Sequence, residues 1–197
     1  MTQRTSTEQP RPGRPREAQV DRRLEAATLS LLRRGGPDAV TVEAVAHESG
    51  VAKTTIYRRY ADRTELLTTV LRHAIGTPEV PPDGTVRDKI RFALREVWRQ
   101  MSDVLGPGGL GAILRDADPQ ITELFRAALR PYSQALVARI EEDVRAGLLR
   151  ADVDADGAVS LFLGAYLGEL VRRGRVDDDW LDRCLDMMWL VLVAPAR

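Results

Sequence analysis

Gly50-Val51-Ala52-Lys53-Thr54-Thr55-Ile56-Tyr57-Arg58-Arg59-Tyr60 joins a tight turn to a short helix whose outward residues are nearly all hydrogen-bond donors. A helix of that composition is shaped to enter a DNA groove, where base edges and phosphates both present acceptors. Immediately upstream, Thr41 to Glu48 reads as another short helix, with Val42, Val45 and Ala46 at the spacing of one buried face. Between the two, Ser49-Gly50-Val51 supplies a glycine for the sharp turn and an apolar plug beneath it. These are the parts of a helix-turn-helix, whose second helix reads the major groove while the first crosses the backbone.

Helical periodicity extends in both directions from this block. Upstream, Val20, Leu24, Ala27 and Leu31 share a face that stops at Gly35-Gly36-Pro37, and Thr41 stands where an N-cap is needed. Downstream, Asp62 caps a longer helix with the stripe Leu66, Leu67, Val70, Leu71 and Ala74, ending near Gly76. The Pro- and Gly-rich run 77–84 breaks the pattern and marks a domain boundary. Beyond it the spacing predicts a helix over 85–105 carrying Ile90, Leu94, Val97, Trp98, Met101 and Leu105, stopped by Gly106-Pro107-Gly108-Gly109. A short apolar helix, Leu110 to Arg115, follows. Asp118-Pro119 then opens a long helix to about Ala146, with a bend expected at Pro131 and a stop at Gly147. The last two segments, about 155–173 and 178–193, are apolar around most of their circumference and must be covered on two sides. The expected fold is all-α with about nine helices. It divides into a flexible basic arm (1–17), a three-helix helix-turn-helix domain (18–76) and a helical bundle (77–197).

A chain of 197 residues, 44% hydrophobic and 29% charged, is ordinary for a soluble globular protein with a substantial core. Its net charge is zero, so the whole molecule is not a generic polyanion binder. Residues 1–76 hold 13 Lys plus Arg against 9 Asp plus Glu, a net of +4, and the remainder holds 16 against 20, a net of −4. That asymmetry puts the nucleic-acid side at the front. The single cysteine, Cys184, excludes an internal disulfide framework, and the polar, proline-rich first twenty residues do not read as a secretory signal. A cytoplasmic location is expected. The longest apolar stretches, Ala158 to Val171 and Met187 to Ala194, fall short of the roughly 20 apolar residues that cross a bilayer, so no membrane partner is expected.

Thr41 to Leu71, TVEAVAHESGVAKTTIYRRYADRTELLTTVL, resembles the TetR family of bacterial transcriptional regulators. The likeness covers residues 20–75, with the glycine, the Ile-Tyr pair and the following Leu-Leu at the family's spacing; the rest resembles the family in helix number and order. It implies a homodimer on a double-stranded DNA operator, a bundle that senses a small-molecule effector, and two terminal helices as the dimer interface. A repressor released by an apolar or aromatic ligand is the leading expectation. A regulator without a small ligand, or an enzyme or metal-binding bundle carrying the front motif, are the competing ones.

Lys53, Thr54 and Thr55 occupy the first turn of the recognition helix, where lysine donates to guanine O6 and N7 and threonine offers a hydroxyl or a methyl. Tyr57, Arg58 and Arg59 sit one turn on, beside phosphates. By similarity to the family, Tyr57 is a phosphate contact, Arg59 reaches base or backbone, and Arg63 grips phosphate. Thr41 and Glu43 open the preceding helix at the DNA edge. Glu43 either accepts from cytosine N4 or stabilises its own helix N-terminus through the dipole. Ala52 departs from the serine that many relatives carry, which removes a cap worth about 1 kcal/mol. In the arm, Arg11-Pro12-Gly13-Arg14-Pro15-Arg16 is similar to the minor-groove clamp called an AT-hook, so Arg14 and Arg16 either enter the minor groove or belong to a solubilising tail.

Catalysis finds no foothold: His47 and His73 sit on helix faces of the DNA-binding block, Cys184 sits on an apolar helix, and no phosphate loop or zinc spacing is present. Asp152-Val153-Asp154-Ala155-Asp156-Gly157 starts like a calcium loop, but its twelfth position is Leu163 where a bidentate glutamate is required. No cofactor or metal is expected. For the effector pocket, Trp98, Met101, Leu105 and Leu114 are candidates from the first half of the bundle. Phe125, Tyr132, Phe162, Tyr166 and Trp189 are candidates from the second, with Tyr132, Gln134, Arg115 and Glu169 as polar handles. Core packing is the alternative for each, since a bundle pocket needs only apolar walls and a few polar groups. For the dimer interface, Gly157, Gly164, Ala165 and Gly168 allow close approach, and Leu161, Leu167, Leu185 and Met188 supply apolar area.

Overall fold

The computed structural model describes residues 14–76, 84–116 and 118–193, without the side chains of residues 14–16 and 178. Nine α-helices follow in order among them: α1 (Arg14–Gly35), α2 (Val42–Ser49), α3 (Lys53–Arg59), α4 (Arg63–Ile75), α5 (Val86–Arg99), α6 (Gly106–Arg115), α7 (Pro119–Arg145), α8 (Ala155–Arg173) and α9 (Asp178–Leu192). A 3-10 turn at Pro37–Ala39 precedes α2, and a wide π turn at Gln100–Leu105 joins α5 to α6. The described residues contain no strand.

Short polar side chains set where the helices begin. Thr41, Asp62, Thr85, Asp118 and Asp154 each accept a backbone N–H from the first turn of the helix that follows. Each cap stabilises its helix by about 1 kcal/mol, because those N–H groups have no partner inside the helix. Asp154 is thereby committed to α8, and its neighbour Asp152 is forked onto Arg150 at 2.6 and 2.9 Å, so the calcium-like acids serve as a cap and an ion pair.

Two boundaries differ from the sequence expectation, at the start of α1 and at the start of α6. α1 begins at Arg14, inside the stretch read as a flexible arm, because Pro15 falls in its first turn, where a missing N–H costs nothing. Residues 1–13, with Arg11, Pro12 and Gly13, lie outside the described residues. Gly106-Pro107-Gly108-Gly109 is the first turn of α6 rather than a stop: Gly106, at φ 59°, redirects the chain, and Pro107 starts the new helix. α7 runs, as expected, from Pro119 to Arg145 as one helix across Pro131, which is exposed, while the next residue, Tyr132, is buried.

The core is one continuous cluster rather than two. Leu24, Leu32, Val45, Ile56, Leu66 and Leu71 are its part around the helix-turn-helix, and α1 and α4 carry the packing onward. α1 lies along α6, and α4 lies on α7. The α1–α6 approach is close because Gly108 has no side chain: a Cβ there would stand 2.4 Å from Gly36 N and 2.5 Å from Leu32 O. At the far end, Arg91 and Arg95 of α5 pair with Asp182 of α9 at 2.9 and 3.3 Å.

Candidate nucleic-acid interface

The turn between α2 and α3 needs Gly50, whose φ of 64° and ψ of 21° lie in the left-handed region. Val51 is buried beneath the turn, and Ile56 is buried at the middle of α3. Anchoring α3 by Ile56 turns Lys53, Thr54, Tyr57 and Arg58 to solvent and leaves Thr55 half-buried. The N-terminus of α3 has no side-chain cap at Ala52. Ser49 does not substitute, since its hydroxyl oxygen accepts from Val51 N–H at 3.2 Å within the turn.

The cations of this face are not equivalent. Lys53 Nζ pairs with Glu43 Oε1 at 2.9 Å across the two helices, and that bond, with its charge, holds the Glu43 carboxyl below the usual carboxylate range. Thr41 is exposed, with its oxygen accepting from Ala44 N–H at 3.0 Å. Arg58 is exposed. Arg59, expected at base or backbone, instead pairs with Asp21 of α1, with its side chain only 23% exposed, so it brackets α3 to α1. Arg63, expected to grip phosphate, donates from Nε to Val40 O at 2.8 Å and from Nη2 to Pro37 O. Its guanidinium fork fits the two carbonyls that the 3-10 turn leaves facing α4, a geometry invisible along the chain. Arg34 and Glu48 lock α1 to α2, and His73 sits 2.7 Å from Glu25, tying α4 to α1. Arg14 and Arg16 lie on the first turn of α1, and their side chains lie outside the described part.

Behind the reading face, a cleft of about 480 Å³ opens between α5, the π turn, α6, α7 and α8. Trp98, Met101, Leu114, Tyr132 and Phe162 line it as expected, with Leu114 at its mouth 69% exposed. Leu105 and Phe125 do not: both are fully buried, packed into the core away from the cleft. Tyr166 lines a second cleft of about 590 Å³, and Trp98 forms a wall of both. Of the polar handles only Tyr132 reaches the first cleft. Gln134 and Arg115 are exposed elsewhere, and Glu169, though buried, is held by Arg172 and Arg173 of its own helix. The residue missed was Gln100, fully buried on the cleft wall. A helical wheel shows it interrupting the apolar stripe Ala93, Val97, Gln100, Val104. Burial pushes the Tyr132 hydroxyl up, so it keeps its proton and donates to Ile75 O at the end of α4.

α8 and α9 each bury one face and expose another apolar one. Leu161, Gly164 and Gly168 are exposed, as are Val171, Met187, Leu190 and Val191, which the sequence reading did not select. Met188 is half-buried. Leu185 is fully buried within its own protomer and is not a surface residue of that face, whereas Leu167 is half-buried on the wall of the 480 Å³ cleft.

A family profile described as "Bacterial regulatory proteins, tetR family" matches residues 24–70, and one described as "Tetracyclin repressor-like, C-terminal domain" matches residues 80–188. The chain belongs to the TetR family. As a TetR-family protein it is a helix-turn-helix, DNA-binding transcriptional regulator and not an enzyme. The DNA-binding transcriptional repressor TetR of Mycobacteroides abscessus is 28% identical over 177 residues, 87% of this chain and 93% of that protein. The HTH-type transcriptional regulator YdeS of Bacillus subtilis is 26% identical over 180 residues, 86% and 87% of the two chains. The crystal structure of a transcriptional regulator from Saccharomonospora viridis in complex with choline has the same fold. Its TM-score is 0.70 at 19% identity, over 90% of this chain and 100% of that one. No helix among the described residues is long and apolar enough to cross a membrane.

Proposed function

We propose that this TetR-family chain is a cytoplasmic homodimeric repressor that leaves a palindromic operator when an apolar or aromatic small molecule occupies the 480 Å³ cleft. The observation that carries the reading is the position of the cleft. Its wall includes Leu110 and Leu114 of α6, the helix that lies on α1, and Tyr132, which bonds the last carbonyl of α4. A ligand that favours a different α4 or α6 position therefore moves the frame of the recognition helix, and only its differential affinity for the two arrangements sets the size of the effect. The repressor named among the relatives supports the sign of regulation, and the choline complex supports a small-molecule effector.

In this reading Lys53, Thr54 and Thr55 meet base edges, and Thr41, Tyr57 and Arg58 meet phosphates. Arg14 and Arg16, at the start of α1, reach the minor groove or flanking backbone. A second copy covers the exposed apolar face of α8 and α9 around a two-fold axis, so that the same patch faces itself. Two recognition helices then meet half-sites roughly 34 Å apart or a multiple of it. The test is a footprint of the full chain on DNA from its own upstream region, repeated with an apolar compound library. A protected palindrome, released by compounds that also raise the melting temperature, is the expected result. Protection that no compound alters would reject the effector, and binding indifferent to sequence would reject the operator.

A further inference from the structure

Gln100 is fully buried on the cleft wall, at the first position of the π turn, an element frequent at functional sites. Its Nε2 stands among three acceptors: Glu96 Oε1 at 2.8 Å, Ile75 O at 3.3 Å and the Tyr132 hydroxyl oxygen at 3.5 Å. The Tyr132 proton is already given to Ile75 O, so the hydroxyl faces Gln100 as an acceptor. That network fixes which end of the amide is nitrogen. The other end, Oε1, is buried without a hydrogen-bond partner, a condition that native proteins ordinarily avoid.

Little else on the wall is polar. Arg126, Arg130 and Ser133 are exposed; Arg130 is paired with Glu123, and the Ser133 hydroxyl donates to Arg130 O. The same wall carries the apolar Leu94, Val97, Met101 and Phe162 and the indole of Trp98. A ligand charge carried to that depth would lose its water, and the carboxylate beside the amide, Glu96, is already forked onto Arg99 at 2.7 and 3.0 Å. An uncharged O–H or N–H would meet Gln100 Oε1, a buried acceptor that lacks a donor.

We propose that Gln100 Oε1 is the polar recognition point of the cleft, and that the effector is an uncharged, largely apolar molecule carrying a hydrogen-bond donor that seats on this oxygen. The assignment rests on the reading of the cleft as the effector site and names the ligand chemistry. Oε1 is closed to water in the ligand-free form, so capture needs a turn of the amide about its terminal torsion, which is a soft one.

The test compares biphenyl-4-ol with 4-methylbiphenyl, two probes of closely similar shape of which only the first has a donor, against the full chain by calorimetric titration and thermal shift. Biphenyl-4-ol binds about tenfold more tightly, although the methyl compound is the more apolar. In Gln100→Met, and in Gln100→Leu, the two bind alike. Equal affinity for the native protein, or a preference that survives in either variant, overturns the assignment while leaving the effector cleft standing. No binding of either probe, nor of biphenyl itself, overturns the cleft as an effector site and this assignment with it.

Discussion

Lys53, the first residue of the recognition helix, is tied through Nζ to Glu43 Oε1 of the preceding helix at 2.9 Å. Both side chains are more than half exposed, so the pair contributes little to stability. In the proposed DNA complex Lys53 would have to leave Glu43 or share it, and the carboxylate would repel phosphate. Glu43→Gln is therefore expected to tighten binding to operator and to scrambled duplex together, and to steepen the fall of affinity with salt by about one counterion per site. Anisotropy titrations across a salt series check this. An unchanged salt slope would mean that Glu43 lies too far from the duplex to matter.

Arg63 is expected to act on folding before it acts on DNA. Its Nε and Nη2 hold the carbonyls of Val40 and Pro37, so truncation takes the side-chain donor from Val40 O and one of two donors from Pro37 O, which keeps the Val40 N–H. Arg63→Ala should cost about 1–3 kcal/mol of stability, and Arg63→Lys should recover little, because an ammonium cannot span both carbonyls. Urea denaturation gives the answer. A melt identical to the native protein, with DNA affinity reduced at every sequence, would restore Arg63 as a phosphate grip.

Arg63 and Arg59 show where sequence reading reached its limit. The helix-turn-helix was legible because Gly50, Val51 and Ile56 are local: the turn requires the glycine, and a 3.6-residue period displays the buried face. The partners of Arg59 and Arg63 lie 38 and 23 residues away in the chain, and nothing in the spacing marks them. The same holds in the bundle. Leu105, Phe125, Leu167 and Leu185 have the composition of pocket or interface residues, but helix rotation sends two into the core, one into the cleft and one inside its own protomer. Gln100 was the reverse case, since a polar residue in an apolar stripe is a local signal that was present to be read.

The exposed apolar face of α8 and α9 separates dimer contacts from core. Leu190 is 76% exposed and Leu185 is fully buried, five residues apart on one helix. Leu190→Glu should give a folded monomer by light scattering that has lost operator binding, with helical signal retained. Leu185→Ala should leave the oligomer unchanged at low temperature while lowering stability by about 2–5 kcal/mol through the cavity it opens. A Leu190→Glu protein that stays dimeric would move the interface off this face.

In the proposed reading the contact between α6 and α1 is one route from the cleft to the recognition helix, and two glycines of α6 test it against each other. Gly108 is pressed on α1, with a hypothetical Cβ at 2.4 Å from Gly36 N, 2.5 Å from Leu32 O and 2.9 Å from Arg33 O, all backbone atoms that cannot swing aside. Gly111, one turn on in the same helix, has nothing within 4 Å of the same position. Gly108→Ala should therefore force the helices apart, costing about 1–3 kcal/mol as overpacking does, and should shift operator affinity in the absence of any ligand. Gly111→Ala should stabilise by roughly 0.5–1 kcal/mol, because alanine loses less conformational entropy in a helix and meets no neighbour. Chemical denaturation and operator titration of the two variants side by side separate these outcomes. If Gly108→Ala is as stable as Gly111→Ala and binds operator normally, α6 does not bear on α1 closely enough to carry the signal.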